Sequence, residues 1–204
     1  MTHQARRSRR PARAIGAATL SMLVTLAAPA AVPAAAAHAS APAAPAATCA
    51  STTTGGWRTT PSSSPLMTAG TLRGVNAGRH LCFDRLVVTI SGSAARTGFF
   101  IGYVDQLTQD GSGTVIPLRG GAKIMVVARA RAYDDRGRPT YRPRNPREVV
   151  RVTGFRTFRQ VAWAGSFEGQ TTLGIGVRGT LPYRAFVLKT GTVQRLVVDV
   201  SHTP

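Results

Sequence analysis

Three residues that could do chemistry together lie two positions apart in the segment GRHLCFDRLVVTIS, residues 78–91. They are His80, Cys82 and Asp84, and in an extended chain this spacing places all three side chains on one face. Three kinds of chemistry use such residues: a reactive thiol with a histidine base, a metal site, and one half of a disulfide crosslink.

The cysteine count favours the crosslink. The chain contains two cysteines, Cys49 and Cys82, and an even count without a third thiol fits one disulfide in an oxidising compartment. Such a bridge would contribute roughly 3–4 kcal/mol in the chain-entropy model. No group is evident that would orient His80 as a base, and no second cluster of metal ligands follows. We therefore predict no catalytic residue, no metal and no cofactor.

The N-terminus has the pattern of a secretory signal peptide, residues 1–39. Five arginines between Arg6 and Arg13 precede an apolar run that ends near Ala28, and Ala37-His38-Ala39 fits a cleavage site. The apolar run is too short and too rich in alanine for a membrane span. The sequence predicts a secreted protein, associated with the cell envelope, without a transmembrane segment in the mature chain.

The rest of the chain divides by composition into three parts. Residues 40–48 form a Pro/Ala linker, and residues 49–71 form an irregular arm tethered by the disulfide. Residues 72–204 have the length of one domain.

The net charge bears on the partner. The formal charge is +18, and the chain stays strongly basic without its signal arginines. A field of this sign attracts anionic polymers, and outside the cell these are wall polymers rather than nucleic acid. A compositional origin of the arginines stays open as the alternative.

Alternating apolar residues and frequent turn signals predict an all-β domain. Short strands at this spacing are typical of a two-sheet β-sandwich of mostly antiparallel strands with an irregular N-terminal arm. The pattern predicts strands in TLRGVNAGRH, which leads into FDRLVVTIS, and in GFFIGYVDQLT, TVIPL, AKIMVVARARA, EVVRVTGF, RQVAWAGSF, QTTLGIGV, YRAFVLKT and QRLVVDVS. Residues 145–160 could instead hold a short helix. The segment RLVVTIS at 85–91 returns as RLVVDVS at 195–201, either by convergence or as two equivalent central strands.

Residues 129–147 read RARAYDDRGRPTYRPRNPR, with seven arginines, three prolines and a glycine. This composition predicts a long loop, and long loops in compact domains are often functional. Arginine beside tyrosine is suited to phosphate, carboxylate or sugar faces. A solvated loop without a role is the alternative. The candidate binding residues in this loop are Arg131, Tyr133, Asp134, Asp135, Arg138 and Tyr141.

Three collinear segments resemble the AMIN-like domain of secreted proteins and lipoproteins of high-GC Gram-positive bacteria. They are LRGVNAGRHLCFDRLVVTISG, YVDQLTQDGSGTVIPLRGGAKIMVVARARAYDDRGRPTY and SFEGQTTLGIGVRGTLPYRAFVLKTGTVQRLVVDVSH. The resemblance spans roughly residues 70–203. It implies a β-sandwich that binds the envelope, since the related AMIN domain targets wall amidases and secretion pores, by binding peptidoglycan.

Further candidate binding residues are Arg79, His80, Asp84, Arg85 and Glu168. If β-structure is regular, Asp84 and Arg85 point to opposite faces, so only one of them faces the core. A buried Arg85 would need a carboxylate, for which Glu168 and Asp199 are available. Glu168 precedes a glycine at a predicted hairpin, where a lone acid more often makes a turn contact.

The leading hypothesis is a non-enzymatic module that binds peptidoglycan or an anionic wall polymer. The alternative is a secreted interaction or inhibitor module that contacts an envelope protein through residues 129–147. A third hypothesis, a wall hydrolase using Asp134, Asp135 or Glu168, needs two acids at a set separation. The sequence context guarantees no such pair.

Overall fold

The fold is an all-β sandwich, as predicted. A computed structural model describes Cys49 and residues 55–204, and the predicted signal peptide and most of the linker lie outside the described residues. Among the described residues there are eleven strands and no helix. The strands are β1 Ser62–Ser64, β2 Thr71–Arg79, β3 Phe83–Ser91, β4 Phe99–Tyr103, β5 Leu107–Thr108, β6 Val115–Ile116, β7 Ala122–Ala128, β8 Phe158–Phe167, β9 Gln170–Val177, β10 Tyr183–Thr190 and β11 Val193–Ser201.

Two antiparallel sheets face each other across one core. The five-stranded sheet has the order β1-β4-β7-β9-β8, and the four-stranded sheet has the order β10-β11-β3-β2. The alternation seen in the sequence decides which side chains face inward: in β3, Leu86, Val88 and Ile90 are fully buried, while Val87 and Thr89 lie on the outer face. Ile124, Val126 and Ala128 of β7 supply the opposite layer.

The sequence echo falls on the two central strands of the four-stranded sheet. β3 and β11 are antiparallel neighbours in the middle of the four-stranded sheet. Leu86 pairs with Val198 and Val88 with Leu196, so the two copies are related by a local two-fold axis through the Val87–Val197 pair. Antiparallel pairing of two strands with the same motif produces such an axis in either case, so convergence stays open as the alternative.

The connection from β7 to β8, residues 129–157, closes one side of the sandwich. Near its start, the amide of Leu72 donates to Arg131 O across 2.8 Å. Further on, the amide of Val149 donates to Val161 O of β8, also across 2.8 Å. We call this segment the strap, because it runs between the β2 edge of one sheet and the β8 edge of the other.

Two expectations for the strap were wrong. The strand predicted at EVVRVTGF, residues 148–155, is irregular apart from its contact with β8, and residues 145–160 form no helix. The physical reason is that Pro143 and Pro146 cannot donate backbone hydrogen bonds, and Gly154 turns the chain with φ of 78°.

A second excursion, residues 104–121, carries the β5–β6 hairpin onto the outer face of the five-stranded sheet. Glycines in β9 permit this close approach. A Cβ on Gly174 would lie 2.3 Å from the Leu107 side chain, and one on Gly176 would lie 1.9 Å from Arg119 O. These contacts fix the position of Arg119 over the end of β9.

The predicted disulfide is confirmed, with Cys49 and Cys82 sulfurs bonded at 2.05 Å. Cys82 immediately precedes β3, so the bridge ties the start of the arm to that strand. The described part of the arm is more regular than expected. It contains β1, which pairs with β4, and Arg58 exchanges two 2.8 Å backbone hydrogen bonds with Tyr183.

Candidate functional site

The structure separates the predicted site residues into three places. Arg79, His80 and Asp84 lie at the end of the sandwich that holds the His80–Cys82 turn, here called the Cys82 end. Arg131, Tyr133, Asp134, Asp135, Arg138, Tyr141 and Glu168 lie at the opposite end, here called the Tyr133 end. Arg85, the next residue after Asp84, lies on the outer face of the four-stranded sheet near the Cys82 end. β2 spans the two ends, roughly 25 Å apart by its nine residues.

His80, Cys82 and Asp84 do not share one face of a strand, because residues 80–82 form the turn between β2 and β3. The amide of His80 donates to Phe83 O across 2.9 Å, and its ring stacks on the Phe83 ring with centroids 4.5 Å apart. Cys82 is in the disulfide. The single-face premise was therefore wrong, and the three side chains have separate structural contacts.

Asp84 faces the core and is completely buried. One carboxylate oxygen accepts hydrogen bonds from the amides of Thr157 and Phe158, at 2.6 and 3.0 Å. The other lies 3.1 Å from Nε2 of His202. The carboxylate thus joins the start of β3 to the start of β8 and the end of β11, which uses its hydrogen-bonding capacity inside the protein.

Arg85 lies on the outer face and pairs with Asp199, one of the two acids considered from the sequence. Its Nε and Nη2 donate to the two Asp199 oxygens at 2.6 and 2.8 Å, and Arg184 donates to the same carboxylate at 2.9 Å. The hydrogen bond to Asp199 raises the pKa of Arg85 further above its ordinary value. Phe83 and Phe186 lie against both guanidinium groups.

The loop at the Tyr133 end is ordered by Asp134. Its carboxylate accepts hydrogen bonds from the amides of Arg136 and Arg138, both at 2.9 Å, and from Nε of Arg138 at 2.8 Å. The backbone hydrogen bond from Arg138 is the main cause that lowers the pKa of Asp134. Neighbouring Asp135 is exposed and forms an ion pair with Arg131. Asp134 therefore stabilises a turn.

Beside this turn lies a groove of about 270 Å³, here called the aromatic groove. Tyr133, Tyr141 and Trp163 supply its aromatic surface, and exposed Arg142 lies at its rim. The Tyr141 and Trp163 rings are tilted by 49° with centroids 5.7 Å apart. The Tyr133 hydroxyl accepts a hydrogen bond from the Gly169 amide at 3.1 Å, which fixes one wall.

The groove combines apolar ring surface with polar groups at its margin. All three aromatic side chains are only half-buried, so their rings are open to a ligand. Burial raises the pKa of Tyr141, so its hydroxyl stays protonated and can donate a hydrogen bond throughout the physiological pH range. Flat rings, hydroxyl donors and one guanidinium suit a sugar ring that carries an acidic or amide substituent.

Glu168 sits at the β8–β9 hairpin, as expected for a turn residue. Phe167 pairs with Gln170, and both residues between them have positive φ, 48° for Glu168 and 79° for Gly169. Glu168 and Asp110 line a neighbouring cavity of about 360 Å³ on the outer face of the five-stranded sheet. Burial raises the pKa of Asp110, and a hydrogen bond with Thr172 opposes the effect.

Sequence reasoning missed two groove residues, Trp163 and Arg142. Trp163 lies in a predicted strand, where a tryptophan reads as core, and a bulge between Trp163 and Gly165 interrupts the ladder there. Arg142 was one of many arginines in its segment. Both residues become groove residues because the strap lies beside β8. No local sequence pattern indicates that contact, so sequence reasoning could not have identified them.

The part of the chain that the structure describes contains no group of three or more histidine, cysteine, aspartate or glutamate residues arranged to hold a metal ion. In the same residues, no helix is long and apolar enough to cross a membrane.

These features define a disulfide-tethered β-sandwich with an aromatic groove at one end. The family model of the AMIN-like domain matches residues 70–202, nearly all of the described chain. The chain therefore belongs to the AMIN-like domain family, which indicates an envelope-associated targeting module of a generally non-catalytic kind. No curated protein and no solved structure matches the chain.

Proposed function

We propose that this protein is a secreted, non-enzymatic module that binds peptidoglycan or an anionic wall polymer, with the aromatic groove as the contact surface. The observation that carries the proposal is the grouping of Tyr133, Tyr141 and Trp163 around one open groove at the end of the sandwich. Family membership supports the envelope as the location of the ligand.

The binding mechanism follows from the chemistry of the groove. A sugar ring lays its apolar C–H face on an aromatic ring and keeps its hydroxyls at the wet margin. The Tyr141 hydroxyl and Arg142 are available at that margin as donors to an amide or carboxylate substituent. The strap backbone holds these side chains in place before binding, which reduces the ordering cost.

Two of the acids considered for hydrolysis, Asp134 and Asp135, have contacts that suit a structural role. Asp134 accepts three hydrogen bonds from its own turn, and its lowered pKa opposes the role of general acid. Asp135 is 89% exposed and forms an ion pair with Arg131, so nothing around it excludes water. Neither acid is placed as a catalytic carboxylate would need to be.

The test is co-sedimentation with purified cell wall over a range of protein concentrations. Tyr141→Ala is expected to weaken retention about five- to tenfold, because it removes one stacking surface. Phe186→Ala is the matched control, since this aromatic residue is also half-buried but lies on the four-stranded sheet, away from the groove. Circular dichroism confirms that both variants fold.

Two results would contradict the proposal. Folded Tyr141→Ala retained as well as the unmodified protein would exclude the groove as the contact surface. Absence of retention even at low salt, together with capture of an envelope protein that depends on the 129–147 loop, would favour the interaction module instead.

A further inference from the structure

The Cys82 end, opposite the aromatic groove, presents two arginine-lined cavities on either side of one turn. The first, of about 500 Å³, is lined by Arg119, Arg151 and Arg159. The second, of about 330 Å³, is lined by Arg79, His80 and Arg156. Gly154, at the tip of the strap turn, lines both cavities, so they are direct neighbours.

Contacts with the protein hold two of these arginines in place and leave donors unused. Nη1 of Arg159 lies 3.1–3.3 Å from three carbonyl oxygens, those of Phe155, Arg156 and Phe158. Nη2 of Arg119 donates to Arg159 O at 3.0 Å. Among the described residues, Nε and Nη2 of Arg159 have no protein acceptor. Both terminal nitrogens of Arg151 are likewise unused.

The local charge is positive in both cavities. Glu148 is the acid that lines the first, and it is paired with Arg119 at 2.5 Å. Asp84 lines the second, but its oxygens are occupied by Thr157, Phe158 and His202. An anion that enters either cavity therefore meets guanidinium groups without a competing free carboxylate.

We propose that the Cys82 end binds successive phosphate groups of a phosphodiester-linked polymer, one in each cavity. Guanidinium groups on separate segments around one space match an anion whose oxygens point in several directions, as those of a phosphate do. The stacked Phe155 and Phe158 rings, with centroids 5.9 Å apart, give the first cavity an apolar wall for the sugar or polyol between phosphates.

A polymer fits this end better than a membrane surface. The arginines line recesses on the two sides of a turn, whereas a flat lipid surface contacts protruding groups. The inference rests on the proposed function only in taking the envelope as the source of the polymer, because the aromatic groove lies at the other end of the molecule.

The test is calorimetric titration of the disulfide-bonded protein with a short poly(glycerol phosphate) oligomer. The double variant Arg151→Gln/Arg156→Gln removes two exposed charges whose loss costs the fold little, and it is expected to weaken binding about tenfold or more. Lys189→Gln/Arg195→Gln carries the same charge change at the far end of β10 and β11. This control should stay within about twofold of the unmodified protein, because distant charges are screened.

Further ligands decide between sources of the phosphate. Inorganic phosphate and hyaluronate, a carboxylate polymer, should both bind much more weakly than the oligomer. Any binding to vesicles of equal parts phosphatidylglycerol and phosphatidylcholine should be unchanged in the Arg151→Gln/Arg156→Gln variant.

Four outcomes would overturn the proposal. They are equal weakening in the two double variants, equal affinity for inorganic phosphate, equal affinity for hyaluronate, and vesicle binding in place of oligomer binding. The titration contains no peptidoglycan, so its failure is distinguishable from failure of the aromatic groove in the sedimentation assay.

Discussion

Two aspartates on neighbouring strands, Asp84 and Asp199, are fully buried, and they bind different kinds of donor. Asp84 receives backbone amides and a histidine at the Cys82 end, while Asp199 receives two arginines on the outer face. Burial of a carboxylate is costly unless its oxygens are paired, and both are. The sequence offered Asp199 and Glu168 as partners for Arg85, and the structure pairs it with Asp199. Nothing local indicated that Asp84 would meet His202.

Glu168 carries backbone strain that one substitution should relieve. A side chain other than Asn, Asp or Gly is disfavoured at φ of 48°, and the two-residue turn with positive φ at both positions prefers Asn-Gly. Glu168→Asn is expected to stabilise the protein by about 0.5–1 kcal/mol. Thermal unfolding should then shift upward by about 1–4 °C.

Glu168→Gln separates strain from charge in this experiment, because it removes the charge and keeps an unbranched side chain that disfavours the same φ. An equal rise in melting temperature for Gln and Asn would show that charge repulsion, rather than the backbone, sets the effect. No rise for Asn would show that the turn carries no strain.

At the scale of elements, the sequence predicted strands well where alternation and Gly-rich turns coincide. β3 has the predicted bounds, and the bounds of β9, β10 and β11 agree with the prediction within one residue. These strands were recognisable because their apolar side chains recur on the face that packs in the core. The path of the strap was not predicted, although residues 129–147 were predicted to form a loop. The valines of the strap resemble a strand, but the strap bonds to β2, far back in the sequence, as well as to β8, which follows it, and only tertiary contacts decide that.

The composition of the candidate binding loop was readable from the sequence, but its neighbours in the fold were not. The sequence proposed the Tyr133–Tyr141 loop as a binding region, and in the structure both tyrosines line one groove. The strap follows the β8 edge, and this path places Trp163 beside the loop. The same path keeps the loop away from Arg79 and His80. Composition of a loop indicates what it could bind, whereas strand order decides which side chains stand beside it.

The disulfide gives a prediction at this scale. Cys49→Ser/Cys82→Ser is expected to lower the free energy of unfolding by roughly 3–4 kcal/mol, because it releases a loop constraint from the unfolded chain. Urea denaturation measures the change in midpoint. The unmodified protein in excess dithiothreitol is the control and should give the same midpoint as the variant. An unchanged midpoint in both would mean that the arm is held by β1 and Arg58 alone.

At the scale of the whole molecule, the two proposed surfaces lie at opposite ends of one rigid sandwich. Thr140, next to Tyr141, donates to Leu72 O at the start of β2, whereas Arg79 ends β2 and lines the second cavity. Trp163 is the groove residue nearest the Cys82 end in sequence, since it lies on the same strand as Arg159. Such a module could contact the glycan and a phosphate-bearing polymer at the same time, and the contacts would add to one another in affinity.

This separation predicts additivity. When Tyr141→Ala is combined with Arg151→Gln/Arg156→Gln, the losses in wall-binding free energy should sum within about 0.3–0.5 kcal/mol. Co-sedimentation with cell wall that retains its phosphate polymers measures the effect, and wall stripped of them is the control. On stripped wall only the Tyr141→Ala loss should remain. A combined loss well below the sum would mean that both sets of residues serve one site.

The strap also affects how neighbouring copies behave when they are crowded along a surface. Its backbone occupies the outer rim of β8, where Trp163 donates to Pro146 O at 2.7 Å and Val149 donates to Val161 O. An open strand there would offer a template on which another copy could extend the sheet. Because the strap already fills that template beside Val161 and Trp163, another copy cannot extend the five-stranded sheet from this part of the β8 edge.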